Sequence, residues 1–345
     1  MDNRTSLLMA MMMSSSGGGG TETLGTPTDI TKTSGINLDG RIAPFVAYKN
    51  NNYYWREANA NISYSPNADL SSPSTITLHT SGSTIIFGSN INIGIYWVYS
   101  SGAYRQTIID IYKNDFTYIR TITIDDIDIS PDSSGSGACW DYIVKDGYIY
   151  VLRTGTIAKI EDSESVTSIT KTSINTNGFG FVFGEIEGNK VLVTCNANAG
   201  NSGASYRIVD FNLDTMTEGT TYGQVYKQYT NKKATGCIKF KEVYYFAVEG
   251  VLYSSTDLLT WTQVSNYTDV YYKLFQLGDV CYTVSKSGIY KTEDFITSTL
   301  YQATTIMTDN DTFKFRTAKI FGDKMIFAYA ANAQYEFVFA DVVRS

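Results

Sequence analysis

The chain has 345 residues, 43 % hydrophobic and 18 % charged, with a formal net charge of −7. Its acidic balance and scattered basic residues (Asn231-Lys232-Lys233 is the densest group) exclude the basic footprint that a nucleic-acid partner requires. No apolar run reaches the ~20 residues needed to span a bilayer, while 27 Tyr and 17 Phe against only 5 Pro supply a large, strand-prone core.

Residues 1–25 differ from the rest. An apolar segment (Leu7, Leu8, Met9, Met11, Met12 and Met13) precedes Ser14-Ser15-Ser16-Gly17-Gly18-Gly19-Gly20. The composition predicts a short anchor peptide on a flexible Ser/Gly linker. Two helical turns capped by Asn3 or Thr5 are marginal in water, so the peptide needs a docking partner to become ordered. It lacks a clean small-x-small cleavage site and is read as an unprocessed peptide rather than a signal sequence.

From about residue 26 to 345, strand follows strand. In one unit, Cys139 to Val144, Tyr148 to Leu152, Thr156 to Asp162 and Val166 to Thr172 form four strands joined by tight turns, with Asp146-Gly147 as a hairpin signal. The grammar recurs in residues 236–264 and 271–291. Seven aspartates mark the period: Asp69, Asp115, Asp162, Asp214, Asp257, Asp294 and Asp341, at intervals of 46, 47, 52, 43, 37 and 47 residues. Self-similarity at this period predicts one supersecondary unit repeated. The sequence therefore predicts an all-β, seven-bladed β-propeller of four-stranded antiparallel blades.

The seventh unit has only three strands: Arg316 to Phe321, Lys324 to Tyr329 and Tyr335 to Asp341. Its missing strand is found at the other end. Ile30-Thr31-Lys32-Thr33-Ser34 is identical to Ile169-Thr170-Lys171-Thr172-Ser173, the fourth strand of the third unit. Residues 28–34 are expected to complete the last blade and close the ring, leaving no unpaired edge there. The four cysteines (Cys139, Cys195, Cys237 and Cys281) follow the repeat, form no C-x-x-C pair, and read as free thiols in strands.

The repeated Asp reads as one turn lock per blade, a carboxylate accepting backbone N–H bonds two or three residues on. Seven copies around a ring cannot share one active site. His79, the only histidine, falls in an expected outer strand and faces solvent. Asp125-Asp126-Ile127-Asp128 has oxygen ligands suited to calcium but reads as a solvated strand edge, and no metal or cofactor is assigned. The aromatic clusters (Tyr53-Tyr54-Trp55, Tyr96-Trp97, Tyr244-Tyr245-Phe246 and Tyr271-Tyr272) read mostly as packing between blades.

Ser255-Thr256-Asp257-Leu258-Leu259-Thr260-Trp261 resembles a degenerate Asp-box of the sialidase/BNR type, one residue short and without its Gly. Arg41-Ile42-Ala43-Pro44 resembles the sialidase Arg-Ile-Pro motif, interrupted by Ala. That resemblance implies a carboxylate ligand for Arg41 and two further converging Arg, for which Arg56, Arg153, Arg207 and Arg316 are available. The stretch Asn3 to Met11 resembles the N-termini of virion appendage proteins of tailed bacteriophages. This second resemblance implies a non-enzymatic structural or adhesive protein of a virion, assembled in the bacterial host cytoplasm. Its N-terminal peptide would dock to other virion proteins, and its propeller would contact neighbouring proteins or a host surface glycan. A sialidase-like glycoside hydrolase and an intracellular scaffold are the alternatives.

Overall fold

Alternation along each strand builds the ring. In the strand Tyr148–Arg153, Ile149 and Val151 join Ile93, Ile95, Ile109 and Ile111 in one apolar cluster. Tyr150 and Leu152, pointing the other way, join Phe183, Val191 and Val193 in a second. A strand covered on both faces needs no polar face, and each fully buried Ile, Leu or Val contributes about 1.5–3 kcal/mol.

The structure, a computed structural model, describes residues 22–32, 46–56, 61–80, 84–99, 105–124, 141–153, 156–174, 178–198, 204–222, 225–227, 235–248, 251–264, 271–285, 287–304, 315–331 and 334–344. Among them are strands and turns and no helix. Seven antiparallel sheets follow one another along the chain. Their strands fall within residues 46–77 (blade 1), 84–124 (blade 2), 141–173 (blade 3), 178–227 (blade 4), 238–263 (blade 5), 271–303 (blade 6) and 315–344 (blade 7). Blade 4 adds the short strand Val225–Lys227, paired with its third strand.

The core lies in the seams. Successive apolar clusters join blades 7, 1 and 2, then 2 and 3, 3 and 4, 4 and 5, 5 and 6, and 6 and 7, so the seams return to their start. The first strands of blades 3, 6 and 7 meet across the ring. Asp141, opening the first strand of blade 3, reaches Lys273 and Lys319 in the first strands of blades 6 and 7 across the ring.

The expected closure is present. Thr28–Lys32 pairs with Phe339 to Tyr335 of the third strand of blade 7. A second piece, Glu22–Leu24, continues the same edge against Arg344 to Val342. Leu24 is buried beside blade 6, where the Tyr282 hydroxyl accepts its N–H at 3.0 Å. Among the described residues pairing starts at Glu22, within the stretch 1–25 that composition assigns to the anchor peptide and linker. Thr33 and Ser34, the last two residues of the matched pentapeptide, lie outside the described residues, as do the anchor residues Leu7, Leu8, Met9, Met11, Met12 and Met13.

Tight hairpins set the register. Asp146 and Gly147 both have positive φ (51° and 78°), which matches the right-handed twist of the strands they join.

Candidate functional site: the polar seam of blades 1 to 3

The turn between the third and fourth strands shows a shared construction in four blades. Asp69 accepts the Ser71 N–H at 2.9 Å and Asp115 that of Thr117 at 2.9 Å. Asp257 accepts from Leu259 and Thr260, and Asp294 from Ile296 and Thr297, all at 2.8 Å. These backbone N–H bonds hold the Asp115, Asp257 and Asp294 carboxyls below the usual range. The residue after each Asp is bulky, apolar and left-handed: Leu70, Phe116, Leu258 and Phe295, with φ of 56°, 68°, 63° and 57°. That conformation costs an L-residue about 1–2 kcal/mol. Burial offsets it, because each side chain enters the seam with the preceding blade. Phe116 packs on Tyr54 of blade 1, and Phe295 stacks on Tyr245 of blade 5 with ring centroids 4.0 Å apart.

Three of the seven aspartates depart from the turn-lock role. In blade 4, Asn212 Oδ1 holds the turn, accepting the N–H of Asp214 and Thr215 at 3.0 Å, and exposed Asp214 accepts from Asn189. Asp341 lies within the strand Gln334–Arg344 and pairs with Lys324, because that strand runs on past the expected turn to meet Glu22–Leu24. Asp162 is only 3 % exposed and serves its neighbour. Its carboxylate accepts three backbone N–H groups of blade 2, from Ser89 at 2.5 Å and from Asn90 and Ile91 at 3.0 Å each.

Gly88 makes this close approach possible. A Cβ there would sit 2.4 Å from Asp162 Oδ1 and 2.7 Å from Ile149. Its carbonyl accepts from Lys49 Nζ of blade 1 at 2.6 Å, and the same ammonium donates to Asn92 Oδ1 at 3.1 Å and Asn114 Oδ1 at 2.5 Å. Burial pushes the Lys49 amine down to about 8, opposed by the charge of Asp162. Blades 1, 2 and 3 are thereby stitched by two ions, each satisfied by several hydrogen bonds. Above the stitches opens a cleft of about 510 Å3. It lies between Asn50 and Asn52 of blade 1, Asn114 and Asp115 of blade 2, and Glu164 of blade 3. Tyr64 stacks on Tyr54 beside it, with centroids 5.6 Å apart.

A second charged cluster lies at the axis. Asp141 accepts from Lys319 at 3.1 Å, lies 3.5 Å from Lys273, and accepts the Phe183 N–H at 3.0 Å. Burial pushes the Asp141 carboxyl up, but the two lysines outweigh it and hold it below the usual range. Nearby, burial raises Glu185 on the first strand of blade 4 to about 7.

Sequence reasoning passed over Lys49, Gly88, Asn92 and Asn114. The available signal was the clustering of Asn in successive turns: Lys49-Asn50-Asn51-Asn52, Gly88-Ser89-Asn90 and Lys113-Asn114-Asp115. Arg41 and the run Asp125 to Asp128 lie outside the described residues. Arg56 and Arg153 lie on second strands, Arg207 on a third strand and Arg316 on a first strand, in four different blades. His79 is exposed, as expected, but sits in the bend after the outer strand Ser74–Thr77, stacked on Tyr118 at 4.0 Å. Cys237 and Cys281 are free and buried.

No protein-family model matches the chain, and no curated protein does. Solved structures do. The Neurospora crassa Pan2 WD40 domain superposes with a TM-score of 0.56 at 10 % identity, covering 91 % of this chain and 95 % of that one. The AfRom2 CNH domain superposes with a TM-score of 0.50 at 10 % identity, covering 92 % and 98 %. Identity this low speaks to the fold alone. Seven closed seams, four-stranded blades and these likenesses together make the chain a seven-bladed β-propeller.

Proposed function

We propose that this chain is a non-enzymatic adhesive protein of a tailed-bacteriophage virion, with the N-terminal peptide docking to the particle and the propeller presented outward. The observation that carries the reading is the fastening of the chain at Glu22. There the segment that follows the apolar peptide is tied to the ring by a strand ladder, by an Arg344–Glu22 ion pair of 2.7 Å, and by buried Leu24. A load on a docked peptide passes straight into the last blade. The N-terminal resemblance to virion appendage proteins supports the same reading. Leu7, Leu8, Met9, Met11, Met12 and Met13 supply the apolar face for another virion structural protein. The ring supplies the surface for neighbouring proteins or a host surface glycan. Assembly takes place in the host cytoplasm, where buried Cys237 and Cys281 stay reduced.

Mass spectrometry of purified particles tests this. The chain is expected among the virion proteins, and deletion of residues 1–20 is expected to remove it from particles. Absence from particles, or full incorporation of the truncated chain, refutes the reading. Turnover of a sialoside by purified protein, abolished by Arg41→Ala, would favour the glycosidase alternative instead.

A further inference from the structure

The cleft over blades 1 to 3 has a chemistry that the adhesive reading leaves open. We propose that it binds a neutral, hydroxyl-rich sugar. This inference rests on the adhesive reading and names the class of ligand for one face of the ring.

Three properties point to that class. The first is size and access. At about 510 Å3 the cleft falls within the 300–1,000 Å3 range of small-molecule sites, and it opens beside exposed Asn50, Asn90 and Asp115. The second is the kind of polar group present. Side-chain amides carry a donor and an acceptor on one planar group, as a sugar carries both on each hydroxyl. Asn50, Asn52, Asn90 and Asn114 place four such amides around one opening, next to the half-buried ring of Tyr64. An aromatic ring with a polar tip offers an apolar face for sugar C–H groups and a hydroxyl for their neighbours. The third is charge. The lining holds one lysine, Lys113, against two carboxylates, Asp115 and Glu164, and Lys113 is drawn to Glu164 at 3.7 Å. That leaves the Asp115 carboxylate as the surplus charge, which repels an anionic sugar and accepts hydrogen bonds from a neutral one.

The walls are also held in place. Asn114 receives the Lys49 ammonium and donates to Ser89 O at 3.1 Å, and Asn90 donates to Asp162 O at 3.0 Å. Groups fixed before binding lose less conformational freedom when a ligand arrives. Beneath the cleft, Phe116 fills the seam of blades 1 and 2, and the Asp162 carboxylate stitches blade 3 to blade 2.

The test is an array of neutral, sialylated and sulfated oligosaccharides, probed with the full chain. Saturation-transfer NMR then follows with lactose, maltose, chitobiose and sialyllactose. Binding to at least one neutral oligosaccharide is expected. Asn52→Ala and Asp115→Asn should each weaken it about tenfold, a change of ~1.4 kcal/mol. Asp214→Asn, on the exposed turn of blade 4, should leave it unchanged. Glu164→Gln, a change at an exposed position on the rim, provides a second variant if Asp115→Asn disturbs its turn. An array blank for neutral sugars overturns the proposal. So does preference for sialylated or sulfated sugars, or binding that Asn52→Ala and Glu164→Gln both leave intact. Particle incorporation is read separately, so a blank array with normal incorporation removes the sugar site and leaves the virion role standing.

Discussion

Blade 3 and blade 6 carry an Asp at the same place in their repeat and use it in opposite ways. In blade 6, Asp294 stays at the surface and fixes its own turn, and Phe295 turns inward to fill the seam with blade 5. In blade 3 the carboxylate itself turns inward and binds three backbone N–H groups of blade 2. The first solution gains stability from apolar burial at the expense of backbone strain. The second gains it from charge-assisted hydrogen bonds and requires Gly88 opposite. A propeller thus has two interchangeable ways to join neighbouring blades, and the polar way leaves a rim of hydrogen-bonding groups at the surface.

Removing a seam altogether sets the upper bound for either solution. Deletion of residues 22–32 strips the outer edge from blade 7 and exposes the strand Gln334–Arg344. Loss of the cooperative unfolding transition is expected in urea, whereas a truncation ending at residue 20 should melt like the full chain. An unchanged midpoint for the first deletion contradicts closure by this segment.

Asp162→Ala comes next. It leaves the buried Ile91 N–H and the part-buried Ser89 and Asn90 N–H groups without their acceptor, the buried one costing about 1–3 kcal/mol and the other two less. A loss of about 3–4 kcal/mol is expected from the urea midpoint, within the sum those groups allow. A smaller loss would mean that water replaces the carboxylate.

Glu185→Gln tests a largely buried carboxyl that accepts the Lys239 N–H of blade 5 at 3.0 Å, a bond the Gln side-chain oxygen can keep. Folding raises this carboxyl from 4.5 to about 7. Between these values the native state binds more protons than the unfolded chain, so stability falls as pH rises through the window. Above it the native state bears the full cost of the buried charge. Glu185→Gln should therefore stabilise the fold at about pH 8 by up to ~3 kcal/mol, and the gain should vanish below about pH 4. A gain that is the same at both pH values would contradict burial as the cause.

Asp294→Ala is expected to have the smallest effect. Its carboxylate is at the surface, and Phe295 still fills the seam when it is gone. The midpoint should shift far less than for Asp162→Ala in the same experiment. Equal shifts would erase the distinction between the two kinds of joint.

The repeat was readable because each blade needs the same turn, and a carboxylate there announces itself as Asp at a fixed interval. Closure was readable because the outer strand of blade 7 must satisfy the same neighbours as that of blade 3, so Ile30 to Lys32 repeats Ile169 to Lys171. The direction in which an Asp turns was not readable. Asp162 differs from Asp294 through a glycine 74 residues away in the chain, and no local pattern carries that distance. Lys49 was hidden for the same reason. A lysine at a strand end reads as solvated, and its partners Gly88, Asn92 and Asn114 lie 39 to 65 residues on. The pairing of Glu22–Leu24 was not readable, because three residues are too few to show alternation and they lie one residue after a Gly run.

Backbone amide exchange across residues 88–92 tests the inter-blade stitch most directly. In the native chain the Ser89, Asn90 and Ile91 amides should exchange slowly despite lying in a surface turn. Asp162→Ala should release them under conditions where the amides of blades 5 and 6 remain protected, and Asp294→Ala should leave them slow. Fast exchange at residues 89–91 in the native chain, or unchanged protection in Asp162→Ala, would contradict the account.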